Sequence, residues 1–280
     1  MDRDTYREQS LHTWGQMASG WEHRREWLMQ MTAPVSDWLV GKLDPHGGQT
    51  ILEIAAGTGD LGFRVAEHVG QLGRVISTDF AREMIDVARR QGRARGLSNV
   101  EYRVLDAESM DIDDDTVDGV VCRFGYMLMA DPAVALMETR RVLRSGGPLA
   151  FAVWRTADAN PWAAVPGMTL MQRGHMPAPE PGAPGIFALA EPARISELVT
   201  ETGFGEPELE EVALDFPFQD FDDFWDFLVH LAGPLAQVII ALPEDERSAT
   251  RAAIAANAEP YRNEDDSYTF PAAAWCVLTR

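Results

Sequence analysis

Between residues 50 and 154, short apolar segments alternate with amphipathic helical segments, and this alternation constrains the fold more than any other feature of the chain. The apolar segments are nearly continuous runs, which is typical of parallel strands covered by helices on both faces. The predicted strands are 50–55, 74–78, 100–105, 117–122 and 148–154, and the predicted helices are 60–69, 81–95 and 131–144. Because helical crossovers join successive parallel strands with a right-handed sense, the sequence predicts an α/β fold built on a mostly parallel sheet.

Helical and irregular regions flank this core, which is predicted to occupy residues 46–155. Residues 1–45 are expected to form an N-terminal helical cap. Residues 156–190 are rich in proline and glycine and predict a long loop or partly ordered insertion, which is more often a lid or binding segment than a spacer. The predicted elements of residues 191–280 are a last core helix at 191–202, strands at 208–214 and 272–279, and a helical lid over 220–258.

The chain carries 24 lysine and arginine residues against 44 aspartate and glutamate residues, so its formal net charge is −20. This balance argues against a nucleic-acid partner and against an anionic membrane surface, since both interfaces depend on lysine and arginine. No apolar stretch approaches the ~18 residues of a membrane span, and the polar N-terminus has no signal-peptide pattern. Cys122 and Cys276 lie in apolar runs and are predicted to be buried thiols, so a cytoplasmic location is expected.

One acidic run superficially suggests a metal site. Residues 111–115 are Asp-Ile-Asp-Asp-Asp, but the run lacks the spaced ligands, the central glycine and the terminal glutamate of a calcium-binding EF-hand loop. It is therefore predicted to be an acidic surface turn, and no metal site is predicted.

A glycine-rich turn follows the first predicted strand. Gly57, Gly59 and Gly62 satisfy the spacing G-x-G-x-x-G, and Asp79 ends the second strand about 20 residues later. Taken alone, this combination is the fingerprint of dinucleotide-binding proteins, so an NAD-dependent oxidoreductase is one possible function. The spacing is a weak signal, because a tight strand-to-helix turn needs glycine whatever it binds.

Two further carboxylates favour a different ligand. Glu53 lies four residues before Gly57, inside the first strand, where its charge would repel a pyrophosphate. Asp106 ends the third strand and so belongs to the same carboxyl edge, where ligands of open α/β sheets bind. Together with Asp79, these carboxylates suit a ligand that carries an ammonium group, a ribose diol and an exocyclic amine.

Five segments then occur in a specific order: ILEIAAGTGD (51–60), ISTDFAREMIDVAR (76–89), VLDAESM (104–110), GVVCRFGYM (119–127) and RVLRSGGPLAFAVW (141–154). They resemble class I S-adenosylmethionine (SAM)-dependent methyltransferases, more narrowly the small-molecule group that contains the ubiquinone/menaquinone C-methyltransferases. The resemblance covers about residues 12–154 together with the last helix and strands. It implies a Rossmann-like seven-stranded sheet with an antiparallel last strand, SAM as the cofactor, and transfer of a methyl group by in-line displacement.

The resemblance also implies roles for ten residues around the cofactor. Gly57 and Gly59 would let the backbone approach the methionine portion, and Glu53 would face its amino end, directly or through water. The other implied contacts are Asp79 with both ribose hydroxyls, Phe80 and Met84 with the adenine, Asp106 with the adenine amine, the Ala107 N–H with a ring nitrogen, the Arg123 carbonyl with the ammonium group, and Trp21 as a closing contact. Ordinary helix–sheet packing is the alternative for Phe80 and Met84, and an exposed position is the alternative for the Arg123 side chain.

Aromatic and methionine side chains dominate the segments that follow the fourth and sixth predicted strands. They predict a small, largely apolar acceptor of aromatic, quinone or polyketide-like type under a mobile lid. A base is needed only if the acceptor loses a proton during attack, and the sequence identifies none beyond the candidates His12, His23, His175 and His230. The accepting atom stays open among carbon, oxygen and nitrogen. A non-catalytic SAM-binding module is the alternative to an enzyme, and the additional helices are compatible with a homodimer.

Overall fold

The computed structural model describes residues 2–180 and 182–280, so Met1 of the predicted cap and Pro181 of the predicted insertion lie outside the described residues. Seven strands form one sheet. They are β1 (Thr50–Ile54), β2 (Arg74–Asp79), β3 (Val100–Val104), β4 (Gly119–Arg123), β5 (Leu149–Trp154), β6 (Glu208–Phe218) and β7 (Tyr268–Thr279). Their order is β3-β2-β1-β4-β5-β7-β6. The first five strands pair in parallel, and β7 pairs antiparallel with both β5 and β6, which confirms the predicted seven-stranded Rossmann-like fold.

Helices cover both faces of this sheet and its carboxyl edge. They are α1 (Arg3–His23), α2 (Arg25–Met31), α3 (Ala33–Leu43), α4 (Asp60–Val69), α5 (Arg82–Ala94), α6 (Pro132–Val142), α7 (Pro161–Gln172), α8 (Pro192–Glu201), α9 (Phe221–Leu231), α10 (Pro234–Ala241) and α11 (Glu244–Ala258). Because the strands are covered on both faces, β4 and β5 are apolar almost throughout and buried. The burial of each large apolar side chain stabilises the fold by about 1.5–3 kcal/mol.

The predicted insertion is more ordered than its composition indicates, because α7 occupies residues 161–172. Asn160, which is buried, fixes the start of this helix to β7: its side chain accepts from the Ala273 N–H over 3.1 Å and donates to the Ala273 carbonyl over 3.0 Å. Contacts with α11 hold the other end, since Asn257 donates to Thr169 over 2.9 Å. These tertiary contacts offset the cost of Pro166 inside the helix, so residues 156–190 form a partly ordered insertion, the second of the two predicted alternatives, and not a loop throughout.

Other predictions concern the surface and the ends of strands. β6 and β7 each extend four residues beyond the predicted strands. The acidic run is an exposed turn in which Asp114 pairs with Arg141 over 2.6 Å. Both cysteines are free and buried.

Among the described residues, no single helix has the length and apolarity of a membrane span. Helices α9 and α10 satisfy both conditions only together, and the chain bends by 103° between them.

Candidate functional site

A large cavity opens at the carboxyl edge of β1, β2, β3 and β4. Its empty space is about 1680 Å³, a volume that includes the open mouth. Side chains of α1, α2, α9 and α10 cover the edge, so the cavity lies between the sheet and these helices. Of the ten predicted cofactor residues, the nine that line it are Trp21, Glu53, Gly57, Asp79, Phe80, Met84, Asp106, Ala107 and Arg123.

Asp79 lies at the end of β2, where its carboxylate faces the glycine-rich turn. One oxygen accepts from the Gly57 N–H over 2.8 Å, and the other accepts from the Ala81 N–H over 2.9 Å. Burial raises the pKa of Asp79 to about 6, against the lowering effect of these two bonds. Since an ionised carboxylate has about four acceptor positions, Asp79 retains two for a ligand.

Glu53, in the middle of the sheet, is a buried carboxylate. It accepts from the Gly62 N–H over 2.7 Å and from the Ser77 hydroxyl over 2.6 Å, and burial raises the pKa of Glu53 to about 7. A Cβ atom at Gly62 would lie 2.1 Å from the carboxylate. The third glycine of the G-x-G-x-x-G pattern is therefore required by the glutamate beneath it.

The other two glycines of the turn differ from each other. Gly57 has a φ of +55° and faces the cavity, where the nearest atom to an added Cβ would be in the Trp21 ring at 3.6 Å. Gly59 has a φ of +85°, and an added Cβ would lie 2.7 Å from Phe63 and 2.9 Å from Ala88. Gly59 does not line the cavity. The structure therefore gives it a steric role between α4 and α5, where the sequence predicted a cofactor contact.

At the β3 side of the cavity, Asp106 forms an ion pair with Arg7 of α1. Arg7 also donates to Glu108 over 2.9 Å, and its guanidinium lies 5.8 Å from the centre of the Phe80 ring. Sequence reasoning missed Arg7 and Glu108, because no local pattern connects two segments about 100 residues apart. Tyr6, one residue earlier in α1, donates to the Leu128 carbonyl over 2.8 Å and so holds the helix against this wall.

Arg123 ends β4, and its side chain points to the start of α3 and not to the surface. The guanidinium donates from one nitrogen to Thr32 over 2.7 Å and to Ser36 over 2.8 Å. The exposed position considered for this side chain is therefore wrong. Thr32 also lines the cavity and was missed from the sequence.

Two residues of the cavity wall that are not glycine have left-handed backbone conformations. Ala55 follows β1 with a φ of 53°, and Phe124 follows β4 with a φ of 63°. Such conformations cost of order 1–3 kcal/mol and occur often at functional sites. The Phe124 ring stacks on Trp154 with a centroid distance of 3.9 Å, so the strained turn places an aromatic face inside the cavity.

The half of the cavity away from the carboxylates is apolar. Trp162, Phe216 and Phe227 form an aromatic wall with centroid distances between 5.3 and 6.4 Å. Further apolar residues that line this half are Leu28, Met127, Met129, Ile186, Leu231 and Leu235. The aromatic residues after strands four and six that do not line the cavity are Tyr126, Phe218, Phe221, Phe224 and Trp225. The hydroxyl of Tyr126 instead forms a hydrogen bond with that of Thr139.

No histidine among the described residues lines the cavity. His12 and His23 are exposed on α1, His175 lies 3.4 Å from Glu246, and the exposed His230 lies 3.0 Å from Asp226 of its own helix. The geometry therefore supports none of the four as a catalytic base. The phenol of Tyr6 does not replace them, because burial raises its pKa to about 12 and keeps it protonated at neutral pH.

Comparison with known proteins finds similarity to methyltransferases. The model of the ubiE/COQ5 methyltransferase family matches residues 36–158. The chain is 29% identical to a demethylmenaquinone methyltransferase of Deinococcus radiodurans over 168 residues. This alignment covers 57% of this chain and 69% of that protein. It is 39% identical to the ubiquinone/menaquinone biosynthesis C-methyltransferase UbiE of Enterobacter sp. strain 638 over 103 residues. That alignment covers 36% of this chain and 41% of that protein.

Solved structures agree on the fold. The crystal structure of a putative methyltransferase from Bacillus halodurans superposes with a TM-score of 0.57 at 20% identity, covering 88% of this chain and 97% of that one. The sequence matches to UbiE proteins are confined to less than half of their length, and the family match ends at residue 158. The apolar half of the cavity is built largely by elements beyond that residue.

Proposed function

We propose that this chain is a class I SAM-dependent methyltransferase of the quinone C-methyltransferase type, and that it transfers the methyl group of SAM to a small, largely apolar acceptor. The observation that carries the proposal is the division of one cavity into an acidic half and an apolar half. The two halves meet at the carboxyl edge of β4, next to Phe124. A donor and an acceptor bound in the two halves would therefore lie side by side.

The residues of the acidic half fit the parts of SAM. Asp79 has two unused acceptor positions for the ribose hydroxyls, and Phe80 with the buried Met84 forms an apolar shelf for the adenine. Asp106 would accept from the adenine amine beside its bonds to Arg7 and the Glu108 N–H. Gly57, without a side chain, leaves the space below Trp21 open to the methionine portion.

The same residues do not suit a dinucleotide. A pyrophosphate needs free N–H groups at the turn, but the Gly57 N–H is held by Asp79 and the Gly59 N–H by the Ala56 carbonyl. The carboxylate of Glu53, which lines the cavity beside the turn, would also face the phosphate charges. These contacts disfavour the NAD-dependent oxidoreductase that the glycine spacing alone suggests.

SAM supplies an electrophilic methyl carbon when it is bound, so the protein has to align the acceptor and exclude water. Alignment of this kind can lower a barrier by about 7–11 kcal/mol. The aromatic wall of Trp162, Phe216 and Phe227 would orient a flat acceptor, while α1, α9 and α10 cover it. No histidine of the described residues lines the cavity, and its four carboxylates, Glu53, Asp79, Asp106 and Glu108, each bind donors of the protein itself. An acceptor that needs no base from the protein therefore fits best.

The experiment is transfer of labelled methyl from SAM to a panel of hydroquinones, phenols and aliphatic amines. Label in an aromatic acceptor, dependent on the protein, is the expected result. Label found only in the amines would show that the acceptor is an amine and not an aromatic compound. SAM binding without transfer to any compound would favour the non-catalytic module.

A cytoplasmic location is also part of the proposal. Two free, buried thiols support it.

A further inference from the structure

The guanidinium of Arg123 is a cation in the cavity wall that meets only neutral groups at hydrogen-bond distance. One of its nitrogens donates to the hydroxyls of Thr32 and Ser36, at 2.7 and 2.8 Å. No acidic side chain of residues 2–180 or 182–280 forms an ion pair with it. A charge held at a protein wall in this way lacks the partner that normally compensates its lost hydration.

The carboxylates that act on Arg123 through space are engaged elsewhere. Asp60 and Glu53 both stabilise its charge without touching it. Asp60 pairs with Arg25 over 2.5 Å and accepts from the Thr58 hydroxyl over 2.7 Å. Glu53 is held by the Gly62 N–H and the Ser77 hydroxyl. Neither carboxylate is therefore the counter-ion of Arg123.

The position of Arg123 indicates which end of the ligand it meets. In the sheet order β3-β2-β1-β4, Arg123 at the end of β4 lies next to the glycine-rich turn that follows β1, and Phe80 and Asp106 follow the two strands beyond it. Arg7, the other cation in the described lining, is already paired with Asp106 and Glu108 at the opposite end. The turn end thus has one positive group available for an anion.

We propose that the Arg123 side chain is the receptor for the carboxylate of the methionine portion of SAM, an inference that rests on the proposed function. The amino acid portion of SAM carries a carboxylate and an ammonium group on the same carbon. The Arg123 guanidinium would take the first, while its own carbonyl and Glu53 face the second. Arginine binds carboxylates strongly because its donors match their geometry.

The test compares two ligands that differ by one carboxylate. S-adenosylhomocysteine (SAH) and its decarboxylated analogue S-adenosyl-3-thiopropylamine are titrated calorimetrically into the wild type, Arg123→Gln and Arg123→Lys. Wild type is expected to prefer SAH by about tenfold or more. Arg123→Gln is expected to lose that preference while its affinity for the analogue stays within about twofold, and Arg123→Lys is expected to keep part of it.

The control is Arg194→Gln, which removes an exposed arginine that pairs with Glu197 over 2.7 Å and should leave the preference unchanged. If Arg123→Gln prefers SAH as strongly as wild type does, the proposal is overturned. A rise in the KM of the acceptor in that variant would not change this conclusion. Equal weakening of both ligands assigns Arg123 a structural role and overturns it as well. If wild type binds neither ligand, the proposed function itself fails, which is a different result from all of these.

Discussion

The Gly57 N–H donates to a carboxylate oxygen of Asp79 over 2.8 Å, and this bond joins the turn after β1 to the end of β2. The carboxylate therefore organises the turn and lines the cavity at the same time. Asp79→Asn retains the shape of the side chain and removes its charge. SAH affinity is expected to fall by about 1.5–3 kcal/mol, the range for hydrogen bonds to a charged group. Calorimetric titration measures it, with the exposed Asp37→Asn as the control; equal affinity in wild type and Asp79→Asn would remove Asp79 from the site.

Glu53 makes stability depend on pH in a specific direction. Burial raises the pKa of Glu53 from 4.5 to about 7, so the folded state favours its protonated form. The stability that this preference contributes is present below about pH 4.5 and is lost as the pH rises through 7. Glu53→Gln cannot ionise. Its free energy of unfolding should therefore rise relative to that of wild type by about 1–3 kcal/mol between pH 4.5 and 8.

Urea denaturation at several pH values measures this difference, with Glu67→Gln on the exposed side of α4 as the control. A difference between Glu53→Gln and wild type that stays constant with pH contradicts the account of the buried carboxyl.

Gly57 and Gly59 separate binding from stability. Alanine at Gly59 would combine a φ of +85° with contacts of 2.7 and 2.9 Å, so a loss of about 2 kcal/mol or more in the free energy of unfolding is expected. Alanine at Gly57 meets nothing closer than 3.6 Å and should cost about 1 kcal/mol, but its methyl group occupies the ligand side of the turn. Thermal denaturation and SAH titration of both variants test the contrast. Strong SAH binding by Gly57→Ala would show that the ligand does not approach this turn.

Ile186 brings the proline- and glycine-rich segment to the apolar half of the cavity, where we propose that the acceptor binds. Ile186→Ala removes apolar contact from the lining, and the KM of an apolar acceptor is expected to rise by about threefold to tenfold, which corresponds to roughly 1 kcal/mol. SAH affinity should not change. Phe187→Ala is the matched control, since its neighbouring side chain is half-buried outside the lining. A change in SAH affinity with no change in KM would place the segment at the donor instead.

The sheet was predictable from sequence because its information is local. Strands β1 to β5 are short apolar runs separated by amphipathic helices, and each was predicted within two residues at either end. The carboxylates Glu53, Asp79 and Asp106 follow from the ends of these strands, since parallel strands bring their carboxyl ends to one edge. Nine of the ten predicted cofactor residues line the cavity, seven of them at or just after these strand ends and two, Trp21 and Met84, from helices.

The remaining features depend on tertiary contacts that no local pattern encodes. The ion pair of Arg7 with Asp106 joins residues 99 positions apart, and α7 forms because Asn160 is anchored to β7. Gly59 satisfied a ligand-binding motif, yet its requirement for glycine comes from Phe63 and Ala88. The histidines illustrate the converse: residue type suggested a catalytic base, and only the folded chain shows that all four lie away from the cavity.

The central claim is that the acidic half of the cavity holds SAM. Calorimetric titration of the full chain with SAH, and in parallel with NADH, tests it most directly. The account predicts micromolar binding of SAH that weakens in Asp79→Asn, and no binding of NADH. Binding of NADH without binding of SAH would contradict the account and return the glycine-rich turn to the dinucleotide-binding proteins.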